Sequence, residues 1–234
     1  TPLTLAGIFV GTPTGATDIK LIMVDELPNQ RDGGANHSFE TAQVVPAKCA
    51  IEGVTESAAS DFYRIALKKG QRISVEVFAS RIQSTVDPLL RLLDSSGKEL
   101  ATHDDDAGLG AESRLSWVVS QDGDVVIEIR DSQYRAAGAY IIRVGDFPLI
   151  TTPYPMGARI GSTVAFNFVG PIILDASAKP LMLPPRFVNV ADLMGKMAVA
   201  SQIADGQSRA FSEVVVSPFP EFVESEPNDE MSQA

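Results

Sequence analysis

Three observations predict an all-β chain: short runs in which apolar and polar residues alternate, turn signals roughly every ten residues, and abundant Gly (18) and Pro (15). The 234 residues are 44% hydrophobic and 21% charged, the proportions of a folded chain, and they suffice for one large or two small cores. A net charge of −11, spread along the chain, repels a phosphate backbone and excludes nucleic acid as a partner. It permits divalent cations or basic surfaces, and it also serves solubility. The apolar runs all fall short of the ~20 residues that span a bilayer. The nearest, Phe168 to Leu174, is broken by Gly170-Pro171.

Residues 1–30 read as the closing strand or strands of a preceding β unit and a linker, with Lys20 to Val24 as a compact apolar run. The clearest domain follows, with bounds set at 31–148. Asp61 to Leu67 places Tyr63, Ile65 and Leu67 on one side, and Lys68-Lys69-Gly70 turns the chain. In Arg72 to Phe78, Ile73, Val75 and Val77 share one face while Ser74 and Glu76 take the other, the pattern of a half-buried strand. Ser95-Ser96-Gly97 signals a hairpin after the Leu-rich run that ends at Asp94. Leu115, Trp117 and Val119 align, as do Val125, Ile127 and Ile129, and then Tyr140, Ile142 and Val144. Such short strands suggest a β-sandwich or jelly roll. Strand patterning restarts after the Pro/Thr-rich joint at Phe147 to Pro155, in a unit placed at 149–222. Residues 191–195 are expected to form a short helix.

The chain also echoes itself. Val24 to Ala42 lies without a gap over Val216 to Ala234, a shift of 216 − 24 = 192 positions, with Val24, Pro28, Asn36 and Ala42 meeting Val216, Pro220, Asn228 and Ala234. Long periods point to a string of modules. The expectation is one period of an array in a longer protein, residues 223–234 opening the next copy.

Chemistry is sparse. Cys49 is the lone cysteine, so no intrachain disulfide forms, and its apolar neighbours suggest a buried structural thiol. The densest polar stretch holds Asp104, Asp105, Asp106 and Glu112. Calcium takes several oxygen ligands on a flexible loop, and Asp104, Asp106 and Glu112 are its candidates; the alternative is that these acids cap turns. His103 beside Asp104 lacks the third, orienting group of a catalytic dyad. Trp117, in phase with Leu115 and Val119, reads as a core residue, and Tyr134 as better placed for exposure. Arg81, Arg91 and Arg114 read as pointing out of strands or forming local ion pairs. No catalytic residue is assigned.

The segments NHSFETAQ, DFYRIALKKGQRISVEV, DPLLRLLDSSGKELATHDDD, ESRLSW, DGDVVIEIRDSQY and AYIIRVGDFP, spread in order over residues 36–148, resemble the bacterial pre-peptidase C-terminal domain. The form it resembles is the one strung along large secreted planctomycete-type proteins. The resemblance implies a jelly-roll-like β-sandwich, secreted or at the cell surface, often attached to peptidases but not itself one. The second, smaller unit resembles the immunoglobulin-like spacers between such copies. Adjacent domains of the same polypeptide are the implied partners, with an extracellular protein or polysaccharide as a further one. In related collagen-binding domains the family's opening E-P-N segment joins an aspartate to hold calcium. Here Gly34-Ala35-Asn36 stands where E-P-N is expected, which leaves Asn36 and Asp61 as the matching residues. Glu226-Pro227-Asn228-Asp229 keeps the signature intact.

Overall fold

The structure, a computed structural model, describes residues 4–106, 109–135, 137–147, 149, 152–169, 183–190, 194–200 and 211–224. The E-P-N-D segment at 226–229 and most of the helix expected at 191–195 lie outside these residues; Gly195 itself opens a strand. Among the described residues the fold is all-β, and its one helical element is the 3-10 turn Ser80–Ile82.

A β-ribbon comes first. Strand β1 (Thr4–Ile8) pairs antiparallel with β4 (Lys20–Val24), and the short β2 (Gly11–Thr12) and β3 (Gly15–Ala16) extend the same hairpin to its tip. The chain then enters the main sandwich through two edge strands, β5 (Asn29–Arg31) and β6 (Gln43–Val44).

Eight strands build the sandwich: β7 (Cys49–Thr55), β8 (Asp61–Leu67), β9 (Arg72–Phe78), β10 (Pro88–Leu93), β11 (Glu99–His103), β12 (Arg114–Val118), β13 (Gly123–Asp131) and β14 (Gly138–Gly145). They lie in two sheets of order β11-β10-β13-β8 and β12-β9-β14-β7, antiparallel throughout. That strand order is a jelly roll. Strands β6 and β5 add one parallel edge strand to each sheet, on β8 and β7. Of these eight strands, only β10 and β11 are consecutive in the chain and paired in one sheet. Their turn follows the expected Ser95-Ser96-Gly97: Gly97 has φ +86°, and the Asp94 carboxylate accepts from the Ser96 and Lys98 amides.

The alternating residues read from the sequence meet between the sheets. Tyr63, Ile65 and Leu67, Ile73, Val75 and Val77, Val125, Ile127 and Ile129, and Tyr140, Ile142 and Val144 form one buried cluster, with Leu115 and Val119 inside it and Trp117 packed against it. Cys49 is buried there as well, and burial pushes its thiol up to about 12. The expectation fails on the other face of β9. Ser74 and Glu76 are as buried as their neighbours. The reason is a second apolar cluster outside the sandwich, where Leu27, Ala50, Phe78, Ile141 and Phe147 meet Leu5 and Met23 of the ribbon and Leu149 of the outgoing chain. Both the entering and the leaving segments cover that face.

A smaller two-layer unit follows. Strands β15 (Thr152–Tyr154), β17 (Thr163–Val169) and β18 (Arg186–Asn189) form one sheet. The other contains β16 (Gly157–Arg159), β20 (Phe211–Ser217) and β19 (Gly195–Ala200), with β20 central and β16 parallel to it. Between them lies a third core of Ala158, Phe166, Val190, Val199, Val214 and Val216.

Candidate functional site

Of the five candidate calcium ligands, Asp61 and Asn36 lie together at the start of β8, apart from Asp104, Asp106 and Glu112. Asp61 opens β8 and is buried at one end of the core, with its carboxylate divided between two partners. Tyr140 Oη donates to Oδ2 (2.8 Å), and His37 Nδ1 meets Oδ1 (3.0 Å). Tyr63 and Tyr140 share a 2.5 Å bond; since Tyr140 gives its proton to Asp61, Tyr63 is the donor. The result is a relay of fixed direction, Tyr63 to Tyr140 to Asp61, closed by His37. Burial raises the Asp61 carboxyl above its ordinary value and raises both phenols, so the tyrosines stay protonated as donors. Asn36 joins the group from the preceding loop: its carbonyl accepts from the Phe62 amide (2.8 Å) and its Nδ2 donates to Phe62 O (3.3 Å), while its buried Oδ1 has no partner.

Tyr140 reaches this position because its cross-strand neighbour on β7 is Gly53. A Cβ there would stand 2.3 Å from the Tyr140 Cζ and Oη. The glycine is thus a seat for the ring, a demand that no composition count reveals. Beside it opens a cavity of about 580 Å³ whose wall includes Arg31, Asp32, His37, Glu52, Gly53 and Tyr140.

The acidic loop disperses its members. Asp106 faces Arg114 in a two-pronged buried pair, Nε to Oδ2 at 2.7 Å and Nη2 to Oδ1 at 3.0 Å. Glu112 is fully buried and accepts from the Ala79 amide (3.1 Å), the Arg81 amide (2.9 Å) and Ser80 Oγ (2.8 Å), so it holds the turn after β9 in place. Asp104 instead approaches Asp87 and Asp105, and one carboxylate oxygen of each lies within 4.8 Å of the others. Asp87, ahead of β10, was missed because it lies far off in sequence. Its Oδ2 accepts from Ser132 Oγ (2.6 Å), and its buried Oδ1 has no partner. Burial, with the charges of Asp105 and Asp87, raises the Asp104 carboxyl.

Calcium fits these places unequally. It takes six to eight oxygen ligands, whereas both Asp61 oxygens are already directed at an imidazole and a phenol, and Asp106 and Glu112 are occupied by arginines and amides. The Asp87, Asp104 and Asp105 group offers carboxylates without such partners on Asp87 Oδ1. His103 accepts the Arg114 amide on Nδ1 (3.4 Å), a backbone role.

A further polar network joins residues that are far apart in the sequence. Arg143, fully buried in β14, donates to Asp25 Oδ2 (2.7 Å) and to Glu76 Oε2 (2.8 Å), and stacks over Phe147 at 4.5 Å. Arg81 completes the chain through Glu76 (3.1 Å) and Glu112 (3.3 Å) and lies 3.6 Å above the Phe78 ring. Arg81 and Arg114 are therefore ion-paired inside the protein, while Arg91 pairs locally with Glu99 (2.7 Å) and Glu128 (2.6 Å). Tyr134 is exposed, beneath Arg130 at 4.2 Å. Among the described residues no helix is long and apolar enough to cross a membrane.

No family model matches the chain, and no curated protein does. Among solved structures, the pre-peptidase C-terminal domain of collagenase from Bacillus anthracis is similar at 14% identity and a TM-score of 0.37, over 44% of this chain and 93% of that one. The chain is also similar to PliG of Aeromonas hydrophila, a periplasmic inhibitor of g-type lysozyme, at 13% identity and a TM-score of 0.35, over 44% of this chain and 96% of that one.

Proposed function

We propose that this chain is a non-catalytic structural module of a secreted or cell-surface multidomain protein, a pre-peptidase C-terminal-like jelly roll joined to an immunoglobulin-like spacer. The observation that carries the reading is the treatment of the joints. Asp25 and Leu27 of the entering segment, and Phe147 and Leu149 of the leaving one, are held on one face of the sandwich by the Arg143 pair and the second apolar cluster. A short segment held by a buried ion pair and an apolar plug sets an angle between units, which a free linker does not. The titratable groups agree with this reading. Asp61 is occupied by His37 and Tyr140, burial raises the phenols and keeps them protonated, and the Cys49 thiol is buried, so neither phenol nor thiol is presented as an activated nucleophile.

The test is a comparison of the chain with Leu27→Ser by small-angle scattering. A rigid spacer gives one maximum dimension in the parent and a broader distribution in the variant; identical distributions refute the reading. A screen of hydrolase substrates showing turnover would refute it as well.

A calcium-dependent module binding extracellular protein or polysaccharide is the second reading, favoured by the Asp87, Asp104 and Asp105 group with its unpartnered oxygen. It predicts saturable binding to matrix polymers that is lost with chelator. Calorimetric titration with calcium giving neither heat nor a rise in melting temperature sinks it.

A further inference from the structure

From the ribbon β1–β4 we infer a docking surface for the small two-layer unit of a preceding copy of this repeat. The inference rests on the spacer reading above and names the partner of one surface.

The 192-residue shift carries β20 onto β4, and the strand pairs correspond as well. Thr4/Val24, Ala6/Ile22 and Ile8/Lys20 in the ribbon match Gly195/Val216, Met197/Val214 and Val199/Ser212 in the small unit. The ribbon therefore has the build of the β19–β20 hairpin, but it stands in a different setting. Val199 and Val214 are each 1% exposed, inside the third core. Their counterparts Ile8 and Ile22 are 50% and 41% exposed. An apolar face that is sealed in one copy stands open in the other.

The strand edges agree. In β20 the edge away from β19 is taken by β16, which runs parallel with Gly157, Ala158 and Arg159 opposite Val215, Val216 and Ser217; Val215 N–H donates to Met156 O at 3.2 Å. Among the described residues, strand β4 is paired with β1 alone. Its Leu21 N–H points away from β1, to Gln83 Oε1 at 3.4 Å. Backbone groups alternate along a strand, so the Met23 N–H lies on that same outer edge. The occupant is thus a strand like β16, laid parallel along Met23 to Asp25, backed by a sheet like β17–β18 over Ile8 and Ile22.

The same 192-residue shift carries Leu27 onto Phe219. Leu27, which leads from the ribbon into the sandwich, is 7% exposed in the second apolar cluster, whereas its counterpart Phe219 is 72% exposed. The residue that a following sandwich would bury is open, just as the face that a preceding small unit would cover is open.

The test fuses residues 149–192 directly ahead of Thr1, which restores the order of strands found in the small unit, and follows backbone hydrogen exchange over Lys20 to Val24. The expected result is a slowing at Met23 of about a hundredfold relative to the unfused chain. A second fusion carries Ile8→Val and Ile22→Val, the residues against which 149–192 pack in their own unit, and protects Met23 at least as well. Unchanged exchange in both fusions overturns the proposal. So does an unfused chain that dimerises with β4 already protected, because the occupant is then a second copy of the chain. Failure here leaves the non-catalytic reading standing, since turnover and polymer binding are measured on the unfused chain.

Discussion

Arg143→Met removes the centre of the joint while keeping most of the apolar stem. In the parent, Arg143 has no exposed surface and neutralises two buried carboxylates, Asp25 at 2.7 Å and Glu76 at 2.8 Å. Glu76 keeps Arg81 at 3.1 Å, so the variant strands chiefly Asp25. Breaking one side of a buried pair costs about 3–5 kcal/mol, because the remaining charge has lost both water and partner. At about 2–4 °C per kcal/mol for a chain of this size, the melting temperature falls by roughly 6–20 °C. The assay is urea denaturation followed by far-ultraviolet circular dichroism, with the midpoint compared at constant slope. Adding Asp25→Asn to the variant recovers part of the loss, since it discharges the stranded carboxylate. A single variant within ~1 kcal/mol of the parent, or a double variant no better than the single, refutes the claim that a buried charge pair holds the joint.

The relay gives two further expectations. Gly53→Ala drives a methyl group into the Tyr140 ring and breaks its bond to Asp61, a loss of roughly 2–5 kcal/mol; an unchanged urea midpoint would show that the ring does not rest on that glycine. Tyr140→Phe leaves Asp61 Oδ2 and the Tyr63 hydroxyl without their partner at about 1–3 kcal/mol, and Tyr63→Phe, at the end of the chain of donors, costs less; equal losses would contradict the direction of the relay. Burial raises Asp61 in the folded protein, so the folded state holds that proton to higher pH than the unfolded chain does. Its contribution is complete below the unfolded value of about 3.9 and is lost as pH rises through the raised folded value. Stability against pH for the parent and Asp61→Asn should therefore diverge in that window, and parallel curves would remove Asp61 as the cause. Cys49, with its thiol pushed up to about 12, should resist alkylation at pH 8 until urea is added.

The two kinds of residue differed in how far they could be read. Ile73, Val75 and Val77, or Tyr140, Ile142 and Val144, announce their strands because a period of two needs only neighbours along the chain. Glu76 sits in the same pattern at a position that reads as solvent-facing, yet it is buried. What covers it, Arg143, Phe147, Leu27 and the ribbon, comes from other parts of the chain. The same limit applies to the acidic loop. Asp104, Asp106 and Glu112 are close in sequence, but strand β12 turns Arg114 onto Asp106, and the turn after β9 presents its amides to Glu112. The carboxylates that approach Asp104 are those of its neighbour Asp105 and of Asp87, just ahead of β10.

By itself the sequence determined that this protein is all-β, which faces of its strands meet between the sheets, and where the β10–β11 hairpin turns. Those are properties of short stretches, set by side-chain alternation and turn chemistry. Only the tertiary structure decided which polar groups are buried together: the Asp25–Arg143–Glu76 joint, the Tyr63–Tyr140–Asp61 relay seated on Gly53, and the exposed face of the ribbon. Each depends on bringing distant strands within a few ångströms, where removal from water makes a charge or a hydroxyl costly unless its partner is already in place.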